Sequence, residues 1–349
     1  IFQLSYRVYV ISQIGFRYVI VYVTDDSRRF SISTMMFYFV VLVAVILVIR
    51  KFVYHRIFPK KPLDVSKLGE WAVVTGATDG IGKAFVEELA ALGLNIVLIS
   101  RNREKLEAFA REISNKHGVN AKGIQAEFTL QDDKMYELIR KEVGNVEVGV
   151  LVNNVGMGYV HPEYFHELEA HQQHIYQGIV NCNVISAVRM CQYVLPGMIS
   201  RRKGLIINVS SMLSEIPAPF ISLYGGSKAF LSKFSTDLAQ EVERHGVRVH
   251  LLRTGTVATK LLRVRETSWI VPSPATYVKS ALKDVTSLQS VDSTGYVAHT
   301  IAQNIIKVLV SLFPGFSERN IVELGLQKRE LLKEKCKHCN PANNQALVR

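Results

Sequence analysis

The chain runs to 349 residues, 48% of them hydrophobic, with 42 Lys and Arg against 30 Asp and Glu for a net charge of +12. That length fits one α/β core plus an attached segment, and four cysteines are too few for a disulfide scaffold. The basic excess gathers beside an apolar run and in residues 328–337, with no module of interleaved aromatic and basic residues, which argues against nucleic acid and for anionic lipid headgroups or phosphate-bearing ligands.

Residues 1–34 begin with Ile1 and interrupt apolar stretches with Arg7 and Arg17, which leaves a second membrane-associated segment and an upstream extension both open. Residues 31–49 carry no charge and approach the ~20 residues that span a bilayer, so 35–54 reads as an N-terminal transmembrane anchor. Arg50, Lys51, His55, Arg56, Lys60, Lys61 and Lys67 follow it in a basic linker over 55–68, whereas Asp25 and Asp26 balance Arg28 and Arg29 before it. The positive-inside bias then puts the following domain in the cytosol.

From 69 to about 320 the pattern alternates. Strands are expected near 71–75, 95–100, 122–127, 148–152, 204–210 and 247–252, and helices over 81–93, 102–116, 131–143, 172–198 and 222–245. Strand followed by helix, repeated, predicts a doubly wound parallel sheet of Rossmann type. The first strand runs into Thr75, Gly76, Ala77, Thr78, Asp79, Gly80, Ile81 and Gly82. Glycines spaced four and two apart let the backbone turn tightly and approach a pyrophosphate, and the helix from Ile81 offers its first amides to that anion.

Further along, Tyr224 and Lys228 form Y-x-x-x-K, one helical turn apart on one face, so the ammonium can favour the ionised phenol. Ser211 stands thirteen residues before the tyrosine, a spacing that Ser210 does not give. After the sixth strand, a loop over 261–274 and an apolar segment over 301–313 follow. That last segment reads equally as a membrane-surface helix and as an amphipathic core helix. A basic tail is expected over 321–349; its Cys336, His338 and Cys339 lack a second ligand pair, and no metal site is expected.

The T-G-x-x-x-G-x-G loop and Y-x-x-x-K together resemble the short-chain dehydrogenase/reductases. The G-E-W-A-V-V-T-G-A-T-D-G-I-G-K start, N-N-V-G-M and P-E-Y-F at 162–165 narrow this to the membrane-bound 17-beta-hydroxysteroid dehydrogenase and very-long-chain 3-oxoacyl-CoA reductase group, over about residues 35–320. The resemblance implies a catalytic set of Asn183, Ser211, Tyr224 and Lys228, in which Asn183 holds a relay water and Ser211 orients the substrate carbonyl. It implies cofactor contacts at Thr75, Gly76, Thr78, Asp79, Gly80, Ile81, Gly82, Arg101, Glu127, Asn153, Asn154, Gly156, Tyr224, Lys228, Val257 and Thr259. Ser100 and Arg101 stand where an acidic residue would select NAD, so NADP(H) is the expected cofactor, with Arg103 and Lys105 adding positive field. Glu127 replaces a customary aspartate, and Thr254 and Gly255 replace a customary Pro-Gly pair.

The implied reaction is reduction of a lipid ketone. Either the 3-keto group of a long acyl-CoA or a steroid 17-ketone would serve, and Lys260, Arg263 and Arg265 could meet coenzyme A phosphates. A non-catalytic membrane scaffold is disfavoured because every catalytic position is filled. The resemblance further implies residence in the endoplasmic reticulum membrane, homodimers paired through the fourth and fifth helices, and a place in a fatty acid elongation complex.

Overall fold

The computed structural model describes residues 5–13, 16–24, 63–168, 174–260, 264, 266–287 and 290–337. The anchor expected over 35–54, and the linker up to residue 62, lie outside the described residues. Among the described residues no helix is long and apolar enough to cross a membrane. The chain divides at Lys61 into two units. In the first, β1 (Ser5–Gln13) and β2 (Phe16–Thr24) pair as an antiparallel hairpin.

The second unit is a parallel sheet of seven strands. In chain order it comprises β3 (Trp71–Thr75), β4 (Asn95–Ser100), β5 (Ala121–Gln125), β6 (Val148–Asn153), β7 (Gly204–Ser211), β8 (Val247–Thr254) and β9 (Asp292–Ser293). They lie in the order β5-β4-β3-β6-β7-β8-β9, all parallel. The chain thus winds outward from β3 and then from β6 in opposite directions. Between these two strands their loops diverge and open a crevice at the carboxyl edge.

Burial on both faces follows from period-2 alternation in strands that are almost wholly apolar. Ala72, Val74, Ile96, Leu98, Val150, Val152, Leu205 and Ile207 face a core with α1 (Gly80–Ala91) and α2 (Arg103–His117); Val73, Val97, Ile99, Leu151 and Ile206 face the other way. That second core takes α3 (Asp133–Gly144), a long helix α4 over 175–201, and α5 (Ser222–Val242). After β8 come α6 (Pro274–Ser287), α7 (Val297–Leu312) and α8 (Pro314–Lys337).

Four sequence expectations shift. The third strand stops at Gln125, because its partner β4 ends at Ser100 and offers only the Ser100 carbonyl to the Ala126 amide; Glu127 therefore lies beyond the ladder. The helix expected over 172–198 contains a π turn at Asn181–Ile185. The last linker residues are part of the domain: Val65 and Leu68 are buried, and the Leu63 amide donates to the Thr286 carbonyl. Residues 321–337 are helix rather than a separate tail, held by Arg329 against buried Glu163 (2.6 Å) and Glu167 (2.8 Å).

Candidate active site

The glycine turn at the end of β3 is braced from beneath. The Thr75 hydroxyl donates to the Val152 carbonyl and accepts from the Asn154 and Val155 amides (3.0 and 3.1 Å), which ties β3 to the loop after β6. The Asn154 side-chain Nδ2 donates to the carbonyls of Thr75 and Gly76. Gly76 and Gly80 take positive φ (+66° and +52°), where a side chain is strained. At Gly82 a Cβ would lie 2.1 Å from the Gly76 carbonyl oxygen, so only glycine lets α1 start this close to the turn. Asp79 caps α1 through the Gly80 amide (2.8 Å), and the exposed start of the helix faces the crevice.

A cleft of about 560 Å³ runs from this turn to Tyr224 and Lys228. Gly76, Thr78, Asp79, Gly80, Ile81, Arg101, Glu127, Asn154, Gly156 and Thr259 also line it. Thr75, Gly82 and Val257 do not line it; they set its floor and the packing behind it. Asn153, expected at the cofactor, points into the sheet instead, where its amide donates to Asn208 (2.8 Å) and it is buried. β6 runs one residue further than expected, to Asn153, so Asn153 keeps its place in the strand with its side chain turned to Asn208, while Asn154 is the first residue of the loop that meets the glycine turn.

At one end of the cleft Arg101 contacts Glu127 (3.4 Å), whose other oxygen accepts from the Thr129 amide and hydroxyl (3.2 and 2.7 Å). The longer glutamate side chain is what reaches Arg101. Lys105 also lines the cleft, but Arg103 is taken up by Glu107 on the outer face of α2. Asn102, not singled out from sequence, lines the cleft and caps α2 through the Lys105 amide; an Asn just before a helix was its signal. Lys260 reaches across to Asp79 (3.0 Å), so it borders the glycine turn. Arg263 and Arg265 lie outside the described residues.

At the other end α5 delivers Tyr224 and Lys228 and β7 contributes Val209 and Ser210, while Ser211 and Asn183 stand behind the lining. Ser211 accepts from the Leu213 amide, and its hydroxyl works against the effect of burial on Tyr224. Its neighbour Ser210 faces the opposite way, bonded to the Lys228 carbonyl and Ser232, and pins β7 to α5. The Lys228 ammonium donates to the Val209 carbonyl (2.9 Å) and lies 5.9 Å from the Tyr224 ring centroid. Asn183, in the π turn, has both ends of its amide engaged: it accepts from the Met157 amide (2.7 Å) and donates to the Met157 carbonyl and Ser227 (both 2.9 Å). It therefore clamps the loop after β6 against α5. π turns recur where a helix must re-aim a side chain at a site.

The electrostatics also depart from expectation. Burial pushes the Tyr224 hydroxyl above its usual value, opposed by the Ser211 hydrogen bond, so the protein alone does not produce the tyrosinate that Y-x-x-x-K spacing suggested. Tyr224 is held as a neutral acid. Burial also lowers Lys228, to about 8, with Cys182 opposing the shift. Because the folded value lies below the unfolded 10.5, the unfolded chain binds more protons between these values. The Lys228 contribution to stability is thus least favourable below pH ~8 and improves as pH rises toward 10.5, whereas the charged ammonium disappears from the site over the same rise. Expected in a pH profile is a fall in kcat/KM as pH climbs through about 8, a limb that Lys228→Arg removes.

His299 was missed in the sequence. From α7 it accepts from the Gly255 amide (3.2 Å) and faces the Thr256 and Ile270 carbonyls (3.1 and 3.2 Å), fixing the loop after β8 that carries Thr259. No motif announces such a residue, because its partners are backbone groups distant in sequence.

Residues 70–268 match the short chain dehydrogenase family. A Mus musculus protein named very-long-chain 3-oxoacyl-CoA reductase is 41% identical over 274 residues, covering 77% of this chain and 84% of its own. Among solved structures, a 7beta-hydroxysteroid dehydrogenase aligns with a TM-score of 0.63 at 26% identity, over 71% of this chain and 95% of its own. A metagenomic short-chain oxidoreductase in complex with NADP aligns with a TM-score of 0.52 at 28% identity, over 66% of this chain and 96% of its own.

Proposed function

Because the chain belongs to the short-chain dehydrogenase family and is an oxidoreductase, we propose that it uses NADPH to reduce the 3-keto group of long or very-long-chain 3-oxoacyl-CoA. The observation that carries the chemistry is the placing of Tyr224 and Lys228 side by side from α5 at the inner end of the cleft, with the Lys228 ammonium fixed on the Val209 carbonyl. The mouse relative's name favours the thioester.

The residues present fit a dinucleotide. The Gly76, Gly80 and Gly82 turn makes a cradle that any Cβ at Gly82 would fill, and the start of α1 suits a pyrophosphate. Arg101 and Lys105 suit a 2′-phosphate, and Lys228 a ribose hydroxyl. When bound, the nicotinamide supplies the hydride. Tyr224 donates its proton to the carbonyl oxygen, and Ser211 hydrogen-bonds that oxygen so that developing negative charge is met by a fixed donor. Lys228, charged below about pH 8, favours the tyrosinate left behind. Asn183 keeps the loop carrying Gly156 against α5, where a Cβ at Gly156 would come within 3.4 Å of the Lys228 ammonium.

NADPH preference is tested by Arg101→Ala. Loss of a hydrogen bond to a charged group is worth roughly 1.5–3 kcal/mol, so KM for NADPH should rise on the order of 10- to 100-fold with KM for NADH little changed. Equal effects on the two cofactors would contradict the reading. Transfer is tested with NADPH deuterated at C4, which should place the label at C3 of the hydroxyacyl product.

A steroid 17-ketone is the second reading, favoured by the likeness to a solved hydroxysteroid dehydrogenase. We place the protein in the endoplasmic reticulum membrane with its catalytic domain facing the cytosol, supported by the charge bias around residues 31–49. Pairing of two copies through α4 and α5, and association with other fatty acid elongation enzymes, belong to the same proposal.

A further inference from the structure

Helix α7 is amphipathic the wrong way round for a helix on a water-facing surface. Its inward row, at four-residue spacing, is polar: His299 and Gln303 are buried, and His299, Gln303 and Lys307 all engage the domain. His299 holds the loop after β8, while Gln303 and Lys307 both meet Glu215, which also pairs with Arg253 at the end of β8. Glu215 stands four residues beyond Ser211, so this row ties α7 to both loops that shape the inner cleft. The outward row is aliphatic. Val297, Ile301, Ile305, Val308, Leu309 and Leu312 are each between 44% and 69% exposed.

A surface helix ordinarily buries its apolar stripe and turns its polar face to water. Here the polar row finds its partners inside, so the apolar row is not a by-product of poor packing. It continues at its N-terminal end onto a second chain segment, where Trp269 and Ile270 are 64% and 52% exposed and the Ile270 carbonyl faces His299. Residues 297–313 contain no acidic side chain, and their single cation, Lys307, is spent on Glu215. The chain as a whole carries +12.

We infer that the outer row of α7, with Trp269 and Ile270, rests in the plane of an anionic lipid bilayer. Sixteen residues of helix span about 24 Å, short of the ~30 Å hydrocarbon core, and the inward row is fastened to the domain; the helix lies on the membrane and does not cross it. A tryptophan at the edge of the patch suits the headgroup boundary, and the basic chain complements anionic headgroups. One helix then has lipid on one side and the loops of the catalytic cleft on the other. The inference does not depend on which lipid ketone is reduced.

The test uses the full chain with Cys336 and Cys339 replaced by Ser, reconstituted in phosphatidylcholine and phosphatidylserine vesicles. A nitroxide is placed at Ile305→Cys and, as control, at Leu138→Cys on α3, which is 49% exposed. The expected result is a several-fold higher ratio of oxygen to nickel-chelate accessibility at 305 than at 138. Equal nickel access at both positions would overturn the inference, as would exclusion of both reagents at 305 with spin-spin broadening, the mark of a second copy covering the patch. Labels at Ile301 and Leu309 carry the same test should Ile305→Cys fail to fold, and none of these readouts requires turnover.

Discussion

Tyr224→Phe should abolish turnover while leaving the cofactor bound. The substitution removes one oxygen from a half-buried ring that lines the cleft and deletes the proton donor, a group whose kind contributes about 10²- to 10⁴-fold to rate. The nearby Ser211 hydroxyl accepts from the Leu213 amide, so the serine is not stranded and the fold should tolerate the change. Stopped-flow single turnover would show the loss in the chemical step, and quenching of NADPH fluorescence would show retained binding. Slow turnover with unchanged pH dependence would mean that another acid delivers the proton.

The second large effect is expected at Gly82→Ala. An added Cβ would sit 2.1 Å from the Gly76 carbonyl oxygen and 2.5 Å from the Asn154 side-chain nitrogen, and neither can retreat without opening the turn or breaking its bonds to Thr75 and Gly76. Overpacking of this kind costs about 1–3 kcal/mol, and the loop it distorts is the proposed pyrophosphate cradle. The expected outcome is a lowered Tm together with loss of NADPH binding by calorimetry. Gly226→Ala is the matched control: it lies within α5, nothing stands within 4 Å of its Cβ position, and replacing a helical glycine should stabilise by about 1 kcal/mol. Equal behaviour of the two variants would remove the steric argument.

Much of this site is legible in the sequence because its parts are local. Gly76, Gly80 and Gly82 declare their turn by spacing, and Tyr224 and Lys228 share a helix face whatever surrounds them. What escapes is set by neighbours remote in the chain. Asn153 turns into the sheet because β6 runs one residue further than expected. Glu127 leaves its strand because β4 ends first. The π turn that presents Asn183 carries no compositional mark in Asn181–Ile185. The Tyr224 shift has a related origin: helical spacing brings Lys228 close, but burial raises the hydroxyl and the ammonium is drawn to the Val209 carbonyl. Finally, 321–337 reads as part of a basic tail because its docking rests on Arg329 meeting Glu163 and Glu167, more than 160 positions away.

The decisive measurement follows NADPH oxidation by the purified, detergent-solubilised chain, offered a long-chain 3-oxoacyl-CoA beside estrone, with the Tyr224→Phe protein as blank. Tyr224-dependent turnover of the thioester and little of the steroid is the expected result. Preference for estrone, or oxidation of NADPH that the Tyr224→Phe protein matches, would contradict it.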